Sequence, residues 1–178
     1  SLSITQRTKG FIDKMVELLN KKGIKTAVTG HDKFKNDVNE ADAKVVIEVR
    51  VPAQVDDAAG KTEASTVLEK EDTVAIYGSN EFAAKAIINA NGGFKESKLG
   101  ADKILAVGFD SGALQQDAIR KGIFVGSVTQ DPVQIGYQAV KLAIAAAKGE
   151  TVKDVDTGSK WYDAKNIDSE EIKALLYE

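Results

Sequence analysis

Apolar positions along the chain recur with two periods that take turns. Over residues 3–20, Phe11, Ile12, Met15, Val16 and Leu19 fall at helical spacing, and Gly23 supplies a stop. Residues 24–29 then read as a short strand. Residues 30–42 are polar and charged without a clear period, so a loop or a small excursion is expected there. Residues 44–51 are rich in β-branched side chains and predict a strand ended by Pro52. Residues 56–71 predict a helix containing a weak Gly60, and 73–77 an apolar strand bounded by Gly78. A helix over 80–90 is stopped by Asn91, Gly92 and Gly93.

The second half continues the alternation. Residues 104–109, reading Ile-Leu-Ala-Val-Gly-Phe, are the clearest buried strand. A short helix over 114–121 is capped by Gly122, and 124–129 form another strand. Residues 132–148 predict a long alanine-rich helix ending at Gly149. The tail holds a strand-like stretch over 151–157, the aromatic pair Trp161-Tyr162, and a terminal helix from Ser169. Strands alternating with helices imply right-handed βαβ units. Near-continuous apolar strands fit a sheet covered on both faces. The fold class is therefore α/β, a doubly wound, mostly parallel sheet with helices on both faces.

Composition narrows the chemistry. Of 178 residues, 43% are hydrophobic and 29% charged, with a formal net charge of −3, so no basic surface calls for nucleic acid or an anionic membrane. There is no cysteine, which removes disulfides, Cys-zinc sites and thiol nucleophiles. No run of about 18 apolar residues is present to span a membrane. No basic-then-apolar leader opens the chain.

In an open parallel sheet, ligands bind beyond the carboxyl ends of the strands. Asn80 follows the strand ending at Tyr77, Asp110 the strand ending at Phe109, and Gln130 the strand ending at Thr129. Arg7 lies in the first turn of the first helix and would face the same edge if a strand preceded it. Asp110 only accepts hydrogen bonds, Arg7 only donates, and the two amides do both. Such a set suits hydroxyl groups, and the charged members contribute about 1.5–3 kcal/mol per bond against roughly 1 for neutral pairs. Each residue also has a plainer reading. Asn80 alone is as much a helix N-cap as a ligand group, Asp110 before Ser111-Gly112 a turn residue, Gln130 a solvated loop side chain and Arg7 a surface charge.

These residues carry a family resemblance. Val107-Gly108-Phe109-Asp110, then Ile119-Arg120-Lys121-Gly122, Val128-Thr129-Gln130-Asp131-Pro132 and Ile135-Gly136-Tyr137, closely resemble the ribose-binding group of periplasmic binding proteins. Thr5-Gln6-Arg7-Thr8-Lys9-Gly10-Phe11 resembles that family's helix opening after a ligand loop, and Tyr77-Gly78-Ser79-Asn80-Glu81 its next ligand loop. Asp156-Thr157-Gly158 with Asn166-Ile167-Asp168 resembles its carboxyl-terminal ending.

The resemblance implies a sugar-binding component of an ABC importer, with no cofactor and no catalysis. It would be extracytoplasmic, in the periplasm or at the outer face of the cytoplasmic membrane. Its partners would be a monosaccharide and permease subunits, with no nucleic acid. Arg7, Asn80, Asp110 and Gln130 stand at the family's sugar-bonding positions. Val55 falls near a position often held by an aromatic that lines the pocket, and the smaller side chain points to a different sugar from ribose. Family members are longer and form two lobes. The expectation is that residues 1–130 form the carboxyl-terminal lobe without its first strand and helix. Residues 131–158 would then be the hinge crossing and a helix that packs on the other lobe, and 159–178 a return segment. The stretch from Ile24 to Val51 is longer than the family's usual link. Uncovered apolar residues of the 132–148 helix, among them Val140, Leu142, Ile144 and Ala145, imply self-association of the chain or a longer protein.

The effector-binding domain of a lac-repressor-family regulator shares this fold and is the alternative. Thr129-Gln130-Asp131-Pro132 and the ending resemble transport proteins more. An enzyme is the third class. Ala59-Gly60-Lys61-Thr62 has the look of a phosphate loop, but Val55 stands where that pattern needs glycine, and the segment lies in a predicted helix. The single His31 has no histidine partner for a metal pair and reads as a solvated residue. Trp161-Tyr162 could stack on a sugar, but a packing or hinge role suits their position better.

Overall fold

In the computed structural model, which describes residues 1–177, the chain divides into two compact units, Ser1–Glu63 and Ala64–Glu178. The elements are those of an α/β protein with predominantly parallel strands flanked by helices. Among the described residues no helix is long and apolar enough to cross a membrane.

The first unit opens with α1 (Leu2–Lys21), whose N-cap Ser1 accepts a hydrogen bond from the Ile4 amide. The helix begins at Leu2, so Arg7 is its sixth residue and lies in the second turn, not the first. Gly23, at φ +71, ends it in the left-handed conformation that glycine adopts without penalty. Two short strands follow, β1 (Thr26–Thr29) and β2 (Val45–Glu48), paired in parallel from Thr26 opposite Val45 to Thr29 opposite Glu48. Ile12, Ala27 and Val28 are buried.

The polar stretch between these strands is ordered by one side chain. Asn36 Oδ1 accepts from the Val28 amide at 3.0 Å and the Val38 amide at 3.3 Å, while its Nδ2 donates to the Thr26 carbonyl at 3.1 Å. It thereby occupies backbone groups that an edge strand would leave to water. A 3-10 turn, Glu40–Asp42, completes the excursion.

Helix α2 (Asp57–Glu69) leads into the second unit. There β3 (Ala75–Tyr77), α3 (Glu81–Asn91), β4 (Leu105–Phe109), α4 (Ala113–Arg120), β5 (Gly126–Gln130), α5 (Pro132–Ala147), β6 (Ser159–Tyr162) and α6 (Glu170–Lys173) follow in order. The sheet runs β3-β4-β5-β6, with the first three strands parallel and β6 antiparallel to β5. Leu68, Ala84, Ile87, Ala106, Ile119, Phe124, Tyr162 and Ile167 belong to one core. β4 alternates, with Ala106 and Gly108 buried and Leu105 exposed, so the near-continuous apolar run is not buried on both faces along its whole length.

The expected strand over 151–157 is absent. That stretch is irregular and mostly exposed, and the pairing partner of β5 is the aromatic segment Ser159–Tyr162. The stretch holds the β-branched residues Thr151, Val152, Val155 and Thr157 but also Lys153, Asp154 and Asp156, and a strand forms where a neighbour offers its backbone and its packing. Tyr162 is fully buried beside β5, so the aromatic pair serves packing through this residue.

Candidate functional site

Three adjacent parallel strands of the second unit each deliver a polar side chain at the carboxyl end. β3 runs through Gly78 and Ser79 to Asn80, the N-cap of α3, whose backbone is extended at φ −162 and ψ 175. Its Oδ1 accepts from the Ala83 amide at 2.9 Å, leaving the Nδ2 amide without a partner among the described residues. The N-cap reading of Asn80 is thus correct, and it consumes only half of the side chain. Gly78 permits the tight passage, because a Cβ there would stand 2.7 Å from the Ala84 nitrogen.

Asp110 closes β4 at φ +75, the one described non-glycine residue in the left-handed region. Aspartate tolerates that region better than most residues. The surroundings hold it there. Its amide donates to the Val128 carbonyl at 2.8 Å. Its carbonyl accepts from Tyr162 Oη at 2.8 Å, Ser127 Oγ at 2.9 Å and Gln115 Nε2 at 3.3 Å. Its carboxylate accepts from the Glu81 amide at 3.1 Å, at the amino-terminal end of α3, where the helix dipole favours negative charge. Asp110 and Asn80 therefore meet at one helix start. Gln130 is the last residue of β5, half-buried, and opposite Ser159 of β6.

Two residues that sequence reasoning missed adjoin this rim. Glu81 supplies the amide that binds Asp110, and its Oε2 accepts from Tyr177 Oη at 3.3 Å. The Ser111 amide donates to the same hydroxyl at 3.4 Å, and Gln116 Nε2 donates to the Tyr177 carbonyl at 2.9 Å. Burial, with further help from the charges of Asp110 and Glu81, raises the Tyr177 pKa and keeps the hydroxyl protonated as a donor. Glu81 directly after Asn80 was a visible signal. Tyr177 carried none.

The first unit contributes Arg7, half-buried on α1. Lys33 Nζ donates to Thr5 Oγ1 at 3.3 Å, so the segment leaving β1 reaches the opening of α1. That segment begins at the carboxyl edge of β1. That edge also holds a cavity of about 510 Å³ lined by Thr29, Gly30, His31, Asp32, Asn39 and Glu40 among others. His31 lines this cavity, where its Nδ1 accepts from the Lys33 amide at 3.1 Å. Val55 is 88% exposed in the coil before α2. The phosphate-loop lookalike lies inside α2, with Thr62 Oγ1 bonded to the Ala58 carbonyl at 2.9 Å. No strand-to-helix turn exists there to cradle a phosphate. Among the described residues, no group of three or more His, Asp and Glu side chains is arranged to hold a metal.

The chemistry of the second-unit rim is a carboxylate acceptor, a spare amide donor and a glutamine that does both. That combination can bind a polyhydroxylated molecule.

Residues 3–151 match the periplasmic binding protein domain. Among solved structures, the chain is similar to one from Brachyspira murdochii described as an ABC transporter, LacI family transcriptional regulator. They are 34% identical over 99% of this chain and 65% of that one, with a TM-score of 0.74. It is also similar to an ABC transporter solute binding protein from Agrobacterium vitis with bound D-fucose, at 25% identity over 97% of this chain and 62% of that one, TM-score 0.69. A carbohydrate transporter solute binding protein from Agrobacterium radiobacter, in complex with D-arabinose, shares the fold at 21% identity, 98% and 63% coverage and TM-score 0.64. The chain thus spans less than two thirds of the length of these structures. Among curated proteins, none matches it significantly.

Proposed function

Because this chain belongs to the periplasmic binding protein domain family, we propose that it supplies sugar-contacting groups to the solute-binding component of an ABC import system. The observation that carries the reading is the run of polar side chains Asn80, Asp110 and Gln130 at the ends of three neighbouring parallel strands. The ligand is a monosaccharide-like polyol. Asp110 accepts from its hydroxyls, Asn80 Nδ2 donates, Gln130 does either, and Arg7 adds a charged donor. Val55 is a further pocket-lining residue in this reading. The similarity to a solute binding protein that holds D-fucose supports this chemistry over that of a repressor's effector domain.

In this reading the protein binds and releases its ligand without a chemical step. Residues 1–130 act as one lobe of a hinged clamp, 131–158 cross to the other lobe, and 159–178 return. Closure over the sugar draws on contacts that exist only in the closed state. The closed form is what permease subunits meet, on the extracytoplasmic side of the membrane.

A ligand held from one side leaves its bonding groups in water, so this chain by itself binds weakly. Titration with D-fucose, D-arabinose and D-ribose, followed by amide chemical shifts in NMR, tests the site. Shifts should be confined to the strand ends around Asn80, Asp110 and Gln130 and to the opening of α1, with millimolar affinity. Saturating sugar that leaves those amides unmoved removes the site.

A further inference from the structure

Two carboxylates stand at the rim, and the sugar-binding reading uses one of them. Asp110 follows β4, and Glu81 opens α3 directly after Asn80. Three hydrogen bonds join the two acids in a closed circuit. The Glu81 amide donates to Asp110 Oδ2 at 3.1 Å, Tyr177 Oη donates to Glu81 Oε2 at 3.3 Å, and the Ser111 amide donates to Tyr177 Oη at 3.4 Å. The peptide link from Ser111 to Asp110 completes it. The circuit thus bridges the ends of two neighbouring parallel strands, β3 and β4.

Two observations set this circuit apart from ordinary anchoring. The segment that carries Tyr177 is fixed by other groups. The Leu175 side chain is buried, the Leu175 carbonyl accepts from Thr129 Oγ1 at 3.5 Å, and the Tyr177 carbonyl accepts from Gln116 Nε2 at 2.9 Å. The Tyr177 hydroxyl is not needed to hold that segment in place. The second observation is Gly112. Its φ of −59 is open to any residue, yet a Cβ there would stand 2.7 Å from Glu81 Cδ. The Glu81 side chain, and not the local backbone, is what requires glycine at this place.

We propose that Glu81 and Tyr177 are positioning residues of the sugar site, whose carboxylate–hydroxyl contact locks the start of α3 to the Asp110 turn and so sets Asn80 and Asp110 relative to each other. The proposal rests on the sugar-binding reading above. Neither residue is asked to touch the ligand. Asn80 caps α3, so a tether on Glu81 also holds its neighbour, and the amide that Glu81 presents orients the Asp110 carboxylate. Bonding groups that are fixed before a ligand arrives need no ordering on binding, which strengthens affinity without adding a contact.

The test is a titration of the whole chain and four variants with D-fucose, D-arabinose and D-ribose, followed by amide chemical shifts. Tyr177→Phe removes only the hydroxyl, and Gly112→Ala pushes the Glu81 carboxylate aside from the other direction. Each should weaken all three sugars by a common factor of about five, the equivalent of one ordinary hydrogen bond. Far-ultraviolet circular dichroism should be unchanged, and the Glu81 and Ser111 amides should be displaced before any sugar is added. Glu81→Ala should match Tyr177→Phe, whereas Glu81→Gln keeps an oxygen for the hydroxyl and should bind within about twofold of wild type. Wild-type affinity in Tyr177→Phe overturns the positioning role and leaves the sugar site standing. A loss confined to one sugar, or a Glu81→Gln loss as large as that of Glu81→Ala, marks direct contact with the ligand and overturns it as well. A wild-type chain whose rim amides ignore all three sugars removes the site itself, and the positioning role with it.

Discussion

The buried Tyr162 side chain donates a 2.8 Å hydrogen bond from its hydroxyl to the main-chain carbonyl of Asp110. The two residues stand 52 positions apart in the chain. β6 lies antiparallel to β5, and Tyr162, opposite Ser127, reaches past that strand to the turn that ends β4. The bond holds the peptide of Asp110 at φ +75, which lets its carboxylate meet the amino end of α3.

Tyr162→Phe removes that donor while Ser127 Oγ and Gln115 Nε2 still serve the carbonyl. The expected loss is about 1 kcal/mol at neutral pH, read from urea unfolding. Burial pushes the Tyr162 pKa from 10.0 up to about 12. The folded state therefore favours the neutral phenol. Its contribution is complete below pH 10 and disappears as pH rises toward 12, a change on the order of 2–3 kcal/mol. The variant lacks this alkaline loss, so the stability gap between the two proteins should close and then reverse between those pH values.

Asp110→Asn and Asp110→Ala separate conformation from recognition. Asparagine tolerates the left-handed backbone and can still accept from the Glu81 amide, so the unfolding midpoint should shift by no more than about 0.5 kcal/mol. Alanine meets the same φ without a local side-chain acceptor and should cost about 1–2 kcal/mol. Both should weaken sugar binding by roughly tenfold or more, because the charged acceptor is lost. Sugar affinity unchanged in the asparagine variant would remove Asp110 from the site.

Asn80 has two jobs that one substitution can split. Asn80→Ser keeps an oxygen for the Ala83 amide and should stay near wild-type stability, whereas Asn80→Ala should lose about 1 kcal/mol. Neither retains the Nδ2 donor, so both should bind sugar equally poorly in the NMR titration.

Gly78→Ala forces a Cβ to within 2.7 Å of the Ala84 backbone nitrogen. The first turn of α3 must yield, at a cost of about 1–3 kcal/mol. Thermal unfolding should show this as a lower midpoint, with the Asn80 and Asp110 amide resonances displaced even without ligand.

The alternation of helix and strand was legible residue by residue, and α1, α3, α4 and α5 lie within one or two positions of their apolar pattern. So were Asn80, Asp110 and Gln130 as strand-end residues, because a short apolar run followed by a polar residue and a helix marks that place in a βαβ unit. The excursion after β1 was opaque for the opposite reason. Its order comes from Asn36 bonding to Thr26 and Val28, and no periodicity announces a side chain that pairs with backbone eight or ten residues away.

Local pattern thus determined which segments are helix or strand and which polar residues end the strands, since both follow from the spacing of apolar side chains along the chain. Tertiary structure alone decided that residues 159–162 and not 151–157 pair with β5, that Tyr162 holds the Asp110 turn, and that Glu81 and Tyr177 join its rim. These are bonds between distant groups, and a hydrogen-bonding group takes its partner from whatever the folded chain brings within about 3 Å, which the order of residues does not encode locally.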